Sequence, residues 1–430
     1  MRRGQSTPVY QSSTATQHDI SGISGNRHVT SLDRWLTRNL LDIIGSPPVS
    51  FRLWNGEEIS PAGIKPTATL RINSRNTLIK LLIDPEYNFG ELYCSGDIDV
   101  EGELSTFLQK VYPSVHYKQQ TLTSKLYEYL NHRRSHNNTL TRTRNNIHHH
   151  YDIGNEFYQQ WLDREAMQYT CAYFPDPAMT LEQAQVAKMH HVCRKLLLDP
   201  GQTVVEAGCG WGGLALFMAK EYGVRVKAYN ISHEQIVYAR ECAQKAGLSD
   251  QVEFMEDDYR NIQGRFDRFV SVGMLEHIGI NHYRELGRII DHVLSDNGFG
   301  LIHTIGRNQP CLLNAWIEAR IFPGACPPSL GQMMEIFEPC KFSVLDIENL
   351  RLHYAKTLQH WLDRFDANID TFRKTYDNAF TRAWRLYLAG SVAAFQSGTM
   401  QLFQVVFTRP ENNRLPWTRS YLYQPGKQVR

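Results

Sequence analysis

A short apolar run, Thr203-Val204-Val205-Glu206-Ala207, breaks into Gly208-Cys209-Gly210-Trp211-Gly212-Gly213 and resumes as Leu214-Ala215-Leu216-Phe217-Met218. Strand, glycine turn and helix in that order restrict the fold more than any other stretch of the chain. Glycine is unfavourable where its freedom goes unused, so this density marks a backbone that a ligand approaches closely. The following helix starts with N–H groups that have no partner inside it, which suits a polar ligand. Gly208, Gly210 and Gly213 fit a dinucleotide fingerprint, whereas Gly208, Gly210 and Gly212 fit the tighter turn of S-adenosylmethionine enzymes. Both readings predict a doubly wound α/β sheet, and the rest of the chain must choose between them.

Strands are expected at 203–206, 224–230, 252–255, 266–272, 298–304, 342–349 and 401–408, with helical stretches between them. That alternation predicts a seven-stranded, Rossmann-like sheet, mostly parallel and covered by helices on both faces. The helix expected at 181–198 buries Leu181, Ala184, Met189, Val192, Cys193 and Leu196, and Asp199-Pro200-Gly201 ends it.

Domain limits follow from shifts in composition. Residues 1–30 are polar, expected to be disordered, and lack the apolar core of a signal peptide. Residues 31–116 read as a small α+β module. Its first helix would bury Trp35, Leu40, Leu41 and Ile44; strands follow at 50–59 and 68–73, and helices at 78–83 and 104–111 flank Ile98-Asp99-Val100. No catalytic constellation appears in it. Residues 117–149 form a basic helix and linker, in which Lys118, Lys125, Arg133, Arg134, Arg142 and Arg144 face only Glu128. A solvated spacer is one reading of this segment, and contact with anionic headgroups the other. The large domain spans 150–411 and a C-terminal tail 412–430.

A formal net charge of +2 gives no nucleic-acid signature. No apolar run is long enough to span a bilayer. None of the cysteines forms a Cys-x-x-Cys pair, which predicts reduced thiols and a cytoplasmic protein. His148, His149 and His150 have no companion ligands, so no metal is expected.

The second strand ends in Ala228-Tyr229-Asn230-Ile231-Ser232, without the acid that ordinarily holds a dinucleotide ribose. Ser232 and Gln235 have the spacing of a capping box, with ribose binding as the second reading for Gln235. Asp257-Asp258-Tyr259-Arg260 falls where an adenine would lie. The strand at 266–272 runs into Glu276-His277 at the carboxyl edge, where such sheets bind ligands. No hydride-transfer pair is evident, and the balance favours S-adenosylmethionine.

The large domain resembles the cyclopropane-fatty-acyl-phospholipid synthase family. The resemblance rests on His150-Tyr151-Asp152-Ile153-Gly154-Asn155, Gln168-Tyr169-Thr170-Cys171-Ala172-Tyr173-Phe174, the glycine turn, Val272-Gly273-Met274-Leu275-Glu276-His277 and Leu301-Ile302-His303-Thr304-Ile305-Gly306. It implies methyl transfer from S-adenosylmethionine to the cis double bond of an unsaturated phospholipid acyl chain. Loss of a proton from the new methyl then closes a cyclopropane ring, with bicarbonate as base. The implied bicarbonate site is Cys171 and Ile305 through backbone groups, Glu276 accepting the hydroxyl, and His303 and Tyr354 donating. The implied S-adenosylmethionine site is Tyr169, Thr170, Glu206, Gly208, Gly210, Gly212, Asn230, Ser232, Gln235, Tyr259 and Arg260. The small module is implied to be lipid-carrier-like. Peripheral contact with the inner face of the membrane is expected, and a homodimer is an allowed assembly.

The chemistry of the residues agrees with this. An alkene needs no deprotonation before attack, so the protein must align it, exclude water and face a cation. Tyr169, Tyr173 and Phe174 offer aromatic faces for that cation. The chain departs from the family's common pattern at Ser391, where many members have Cys, and at Glu206-Ala207, which replaces Asp-Ile. Ser391 removes a nucleophilic thiol but leaves the cation route intact. The alternatives are a fatty-acyl C-methyltransferase without ring closure, a small-molecule N-methyltransferase, and a lipid-binding protein that has lost activity.

Overall fold

The computed structural model describes residues 28–118 and 154–423. Residues 1–27, the basic segment from 119 onward with Arg133 and Arg134, the His148–His150 cluster and residues 150–153 of the first motif lie outside the described residues.

The small module opens with helix Ser31–Ile43, capped by Thr30 and Asp33 in a reciprocal box. Asp33 is fully buried because Arg75 clamps it, Nε donating to Oδ1 at 2.6 Å and Nη2 to Oδ2 at 2.7 Å. Hydrogen bonding by Arg75 holds the Asp33 carboxyl well below the usual range. This clamp lets a carboxylate share the inner face of the helix. Asp33, Thr37, Leu40 and Leu41 are buried, whereas Trp35, expected inside, is 58% exposed.

Strands β1 (Val49–Arg52), β2 (Glu58–Ile59), β3 (Ala68–Ile72) and β4 (Ile98–Glu101) form a four-stranded sheet in the order β2-β1-β3-β4. The single strand expected at 50–59 divides into β1 and β2 about the turn at Gly56, whose φ is +89°. Helices Arg75–Ile83, Pro85–Ser95 and Leu104–Lys118 complete the module. The helix Pro85–Ser95 is absent from the sequence reading, although Asp84 caps it and Pro85 opens it.

The large sheet contains β5 (Thr203–Ala207), β6 (Arg225–Asn230), β7 (Val252–Glu256), β8 (Phe266–Val272), β9 (Leu294–Gly306), β10 (Ser343–Asn349) and β11 (Gln401–Thr408). Their order is β10-β11-β9-β8-β5-β6-β7. β5 through β9 run parallel, and β11 is antiparallel to both β9 and β10. All of these strands stand where the alternation placed them. β5 lies between β6 and β8, so the chain leaves it in opposite directions on its two sides. Such a switch point opens a crevice at the carboxyl ends of the strands, and the glycine turn sits there.

The two parts share one core. Leu40, Leu70 and Phe107 of the module belong to the same apolar cluster as Trp361, Trp384 and Leu388. Helix Ala315–Arg320 ties them further. Trp316 lies against Gly90 so closely that a Cβ there would be 2.3 Å from the indole. Glu91 accepts from Trp316 Nε1 at 3.1 Å and from Arg320 Nε at 2.8 Å. At the other end of the chain, residues 412–423 run back along the large domain. Asn412 donates to Thr408 Oγ1 at 2.8 Å, Arg419 pairs with Asp346, and Leu422 is buried. Among the described residues no helix is long and apolar enough to cross a membrane, no group of side chains could hold a metal, and the cysteines are free thiols.

Candidate active site

A pocket opens over the carboxyl end of β5. Its floor is the glycine turn. Gly208 and Cys209 donate their amides to the carbonyl of Tyr229 at 2.9 and 3.1 Å, locking the turn to β6. Gly208, Gly210 and Gly212 have φ of +83°, +53° and +82°, a region that side chains disfavour. Their roles differ. A Cβ on Gly210 would meet nothing within 4 Å, because Gly210 faces the pocket. A Cβ on Gly212 would lie 2.6 Å from Phe254 and 2.8 Å from Ala239, so Gly212 serves packing behind the floor and does not line the pocket.

Tyr169, Thr170, Glu206, Gly208, Gly210, Asn230, Gln235, Tyr259 and Arg260, expected for the cofactor, all line this one pocket. Asn230 is its hinge pin. Its Nδ2 donates to Gly210 O at 3.2 Å and to Gln235 Oε1 at 2.7 Å, while its Oδ1 accepts from Ile231 N at 2.8 Å. The capping box expected for Ser232 and Gln235 does not form. Ser232 occupies the cap position of helix His233–Ala246 without a side-chain cap bond, and Gln235 is engaged by Asn230 instead. Ser232 is buried and does not line the pocket. Arg260 is steered by Asp258, with Nε 3.0 Å from Oδ1. Met167, Gln168, Met274 and His277 complete the walls; of these, the adjoining motifs could have pointed to Gln168 and His277.

Beside the pocket stands a second constellation. β8 ends at Val272, and the tight turn Leu275–His277 folds Glu276 inward. Glu276 Oε1 accepts the backbone N–H of Ile305 at 2.5 Å, and Oε2 has no hydrogen-bond donor among the described residues. The Ile305 amide, expected to face an ion, is therefore given to Glu276. Burial pushes the Glu276 carboxyl up to about 7. His303 pairs across the sheet with Gln404, whose Nε2 donates to His303 Nδ1 at 3.0 Å. That bond leaves the proton on Nε2, which is buried and unpartnered. Burial drives the His303 imidazole down to about 3, so it is neutral. Gln404 is a supporting residue that the sequence reading missed.

Cys171 and Tyr354 approach from the other side. Ala172 N donates to Thr357 Oγ1 at 3.0 Å, laying the Cys171 segment along helix Arg351–Ala367, which carries Tyr354. Leu350 donates its amide to Leu402 O at 2.8 Å, and Leu402 is registered opposite Ile305. Burial raises the Cys171 thiol well above its ordinary value. Rings connect the two constellations: Trp361 lies 5.4 Å from Tyr169 and 5.9 Å from Tyr354. Tyr169 OH is 2.8 Å from Tyr387 OH. Tyr173 and Phe174, expected to offer faces to a cation, do not line the pocket. His191 stacks on Tyr173 at 4.2 Å, and Lys356 Nζ sits 4.8 Å over Phe174. Both rings are thus turned away, and Phe174 already faces a cation; Tyr169 is the one of the three at the pocket. Ser391 lies half-buried on helix Asn378–Ser397.

The arrangement offers a crevice for a nucleoside-bearing ligand, an aromatic wall, and a dry acid and neutral imidazole with unfilled hydrogen-bonding positions. Residues 138–405 match the family model described as mycolic acid cyclopropane synthetase. Residues 36–122 match a domain of unknown function. The chain is 34% identical over 397 residues to a probable fatty acid methyltransferase of Pseudomonas putida, covering 88% of this chain and 96% of that one. It is 42% identical over 267 residues to the cyclopropane-fatty-acyl-phospholipid synthase of Escherichia coli K12, covering 62% and 68%. Its fold is similar to that of the mycolic acid cyclopropane synthase CmaA1 complexed with SAH and CTAB. The TM-score is 0.59 at 28% identity, over 62% of this chain and 98% of that one.

Proposed function

Since the chain belongs to the mycolic acid cyclopropane synthetase family, we propose that it forms a cyclopropane ring across the cis double bond of unsaturated phospholipid acyl chains, using S-adenosylmethionine. The observation that carries this reading is the pairing of the glycine-floored pocket with a dry acid beside it, at Glu276. S-adenosylmethionine, when bound, supplies an electrophilic methyl group. Gly210 would leave room for it, and Asn230, Gln235, Tyr259 and Arg260, which line the same pocket, would orient its adenosine end. The ring of Tyr169 faces the methyl-transfer region and keeps water out.

An alkene attacks without losing a proton, so the base is needed only afterward. Bicarbonate, when bound, would supply that base. The residues fit it: Glu276 Oε2 can accept from a hydroxyl and His303 Nε2 can donate, and both are buried with no partner among the described residues. Tyr354, on the helix against which the Cys171 segment lies, would be the third member of the set. An N-methyltransferase has an amine as its nucleophile and no use for this dry acid and imidazole. A fatty-acyl C-methyltransferase remains the nearest second reading, supported by the relative in Pseudomonas putida. The N-terminal module, 31–116, would present lipid to the transferase domain, 150–411, with peripheral contact through the basic segment 117–149. Salt-insensitive co-sedimentation with anionic vesicles would remove that contact.

The test is to incubate the pure protein with methyl-labelled S-adenosylmethionine and unsaturated phospholipid vesicles, then analyse the acyl chains by mass spectrometry. Labelled chains that have gained one methylene and resist ozonolysis are rings. Labelled chains that ozonolysis still cleaves indicate methylation without closure. Unlabelled chains would remove the reading.

A further inference from the structure

Lys188 stands behind the pocket wall, on helix Leu181–Lys195, and is 0% exposed. Among the described residues no carboxylate comes within ion-pair distance of it. Its Nζ donates to Gln168 Oε1 and, at 3.1 Å, to Thr170 Oγ1. Both residues line the pocket. One turn earlier on the same helix, Gln185 Nε2 donates to the carbonyl of Thr170 at 2.9 Å. Asp163 secures the start of the segment, accepting from Gln168 N at 2.6 Å. The wall Gln168–Thr170 is therefore held from behind by a helix whose anchoring group is a cation.

An ammonium removed from water without a counter-ion is expensive, and a helix that needed only to hold this wall could do so with an amide, as Gln185 does. The nearby anion of the pocket is Glu206, 2% exposed, with Oε2 unpartnered. Lys188 feels the charge of Asp163 most and that of Glu206 as well, and Lys188 is the charge that lowers the Glu206 carboxyl against its burial. Glu206 lies near the carboxyl end of β5 and lines the pocket. S-adenosylmethionine carries positive charge on its sulfonium and ammonium, and a carboxylate attracts these only when ionised.

We propose that Lys188 is a positioning residue of the cofactor site, which clamps the Gln168–Thr170 wall and favours the ionised form of Glu206 toward the positive charges of S-adenosylmethionine. This rests on the reading of the pocket as the S-adenosylmethionine site. Burial pushes the Glu206 carboxyl up to about 8 and the Lys188 ammonium down to about 8. The charge of the pair is thus poised near neutrality, and Lys188 is what favours the anion. The other titratable groups around the pair are Asp163, Cys171, Cys193, Cys209 and His303. Burial holds the three thiols protonated and His303 neutral; burial also raises the Asp163 carboxyl, against which its backbone amide donors and the charge of Lys188 act. At the pocket, His277 is driven down to about 4, while Glu276, at about 7, titrates in the same window.

The experiment measures the affinity of the full-length protein for S-adenosylmethionine by calorimetry from pH 6 to 9, a window of roughly one to two units on either side of these midpoints. Wild-type affinity should rise with pH, and Glu206→Gln should remove that rise although Glu276 is intact. Lys188→Met should weaken affinity about tenfold near neutrality and move the midpoint upward, and Lys188→Arg should restore part of it. In a Glu206→Gln background, Lys188→Met should cost much less. A folded Lys188→Met with wild-type affinity and pH profile overturns the proposal, as does an equal loss in both backgrounds, which would make Lys188 a clamp alone. If Lys188→Met does not fold, the wild-type and Glu206→Gln profiles still decide: a flat wild-type profile overturns the proposal. Wild type that binds no S-adenosylmethionine at all overturns the reading of the pocket itself, which separates that failure from this one.

Discussion

Glu276 accepts the backbone N–H of Ile305 through Oε1 at 2.5 Å, leaving Oε2 inside the protein without a donor. One oxygen thus fixes the carboxyl between the ends of β8 and β9, and the other is kept open for a ligand group. A buried acceptor left without a partner costs about 1–3 kcal/mol, which the fold accepts here at the point where chemistry is expected.

Glu276→Gln keeps the shape and the bond to Ile305 but cannot hold a charge. It should lower ring formation by about a hundredfold to ten-thousandfold while S-adenosylmethionine affinity changes little. In carbonate-free buffer the wild type should slow and recover on adding bicarbonate, and the variant should respond weakly. A wild type indifferent to bicarbonate, beside an inactive variant, would make Glu276 itself the base.

The same substitution should stabilise the fold at alkaline pH. Burial raises the Glu276 carboxyl from 4.5 to about 7. Across that window the folded protein keeps a proton that the unfolded chain releases, so stability is full below it and is lost as pH rises through it. Glu276→Gln should therefore gain up to about 3 kcal/mol at pH ~8 and nothing at pH ~4. Thermal melts at the two pH values read this directly, and equal shifts at both would contradict it.

The glycines of the turn should separate by role. Gly210→Ala, entering open space at φ +53°, should leave a folded protein that is about 1 kcal/mol less stable and binds S-adenosylmethionine poorly. Gly212→Ala, driven against Phe254 and Ala239, should lose about 1–3 kcal/mol. Denaturant melts paired with calorimetry distinguish them; a Gly210→Ala protein with wild-type affinity would take Gly210 out of the cofactor site.

Trp316 fastens the two parts of the molecule. Truncating a buried indole costs about 3–5 kcal/mol, so Trp316→Ala should loosen the N-terminal module. Limited proteolysis should then cleave between the module and the large domain faster than in wild type. Unchanged cleavage would mean that the shared core around Trp384 and Phe107 holds the parts without it.

The alternation of apolar strands and helices predicted the large sheet, and the glycine turn predicted where its pocket would open. These features are carried by neighbours in sequence: a residue two positions on lies on the same face of a strand, and three or four on lies along the same face of a helix. The same local logic explains why most of the expected cofactor residues reach one pocket, since Glu206, Asn230 and Tyr259 each lie at or just beyond the carboxyl end of a parallel strand.

What failed locally failed for a different reason. Trp35 is apolar like Leu40, Leu41 and Ile44, but five, six and nine residues away from them it falls on the opposite face of the helix, while Asp33, on the inner face, finds its partner in the distant Arg75. Ser232 and Gln235 have the spacing of a capping box, but Asn230 takes the glutamine. Tyr173 and Phe174 sit in the right motif, yet His191 and Lys356 cover their faces. Lys188 interrupts an apolar helical stripe, a visible oddity whose purpose appears only when Gln168, Thr170 and Glu206 surround it.

The sequence by itself determined the order of the elements and the glycine floor, because those depend on backbone propensity and short spacings, and its motifs carried the family resemblance. Only the tertiary structure decided which oxygen of Glu276 is engaged, which nitrogen of His303 carries its proton and which buried cation holds the Gln168–Thr170 wall. Those outcomes depend on partners that the chain brings together from far along its length, and on how much water their packing removes.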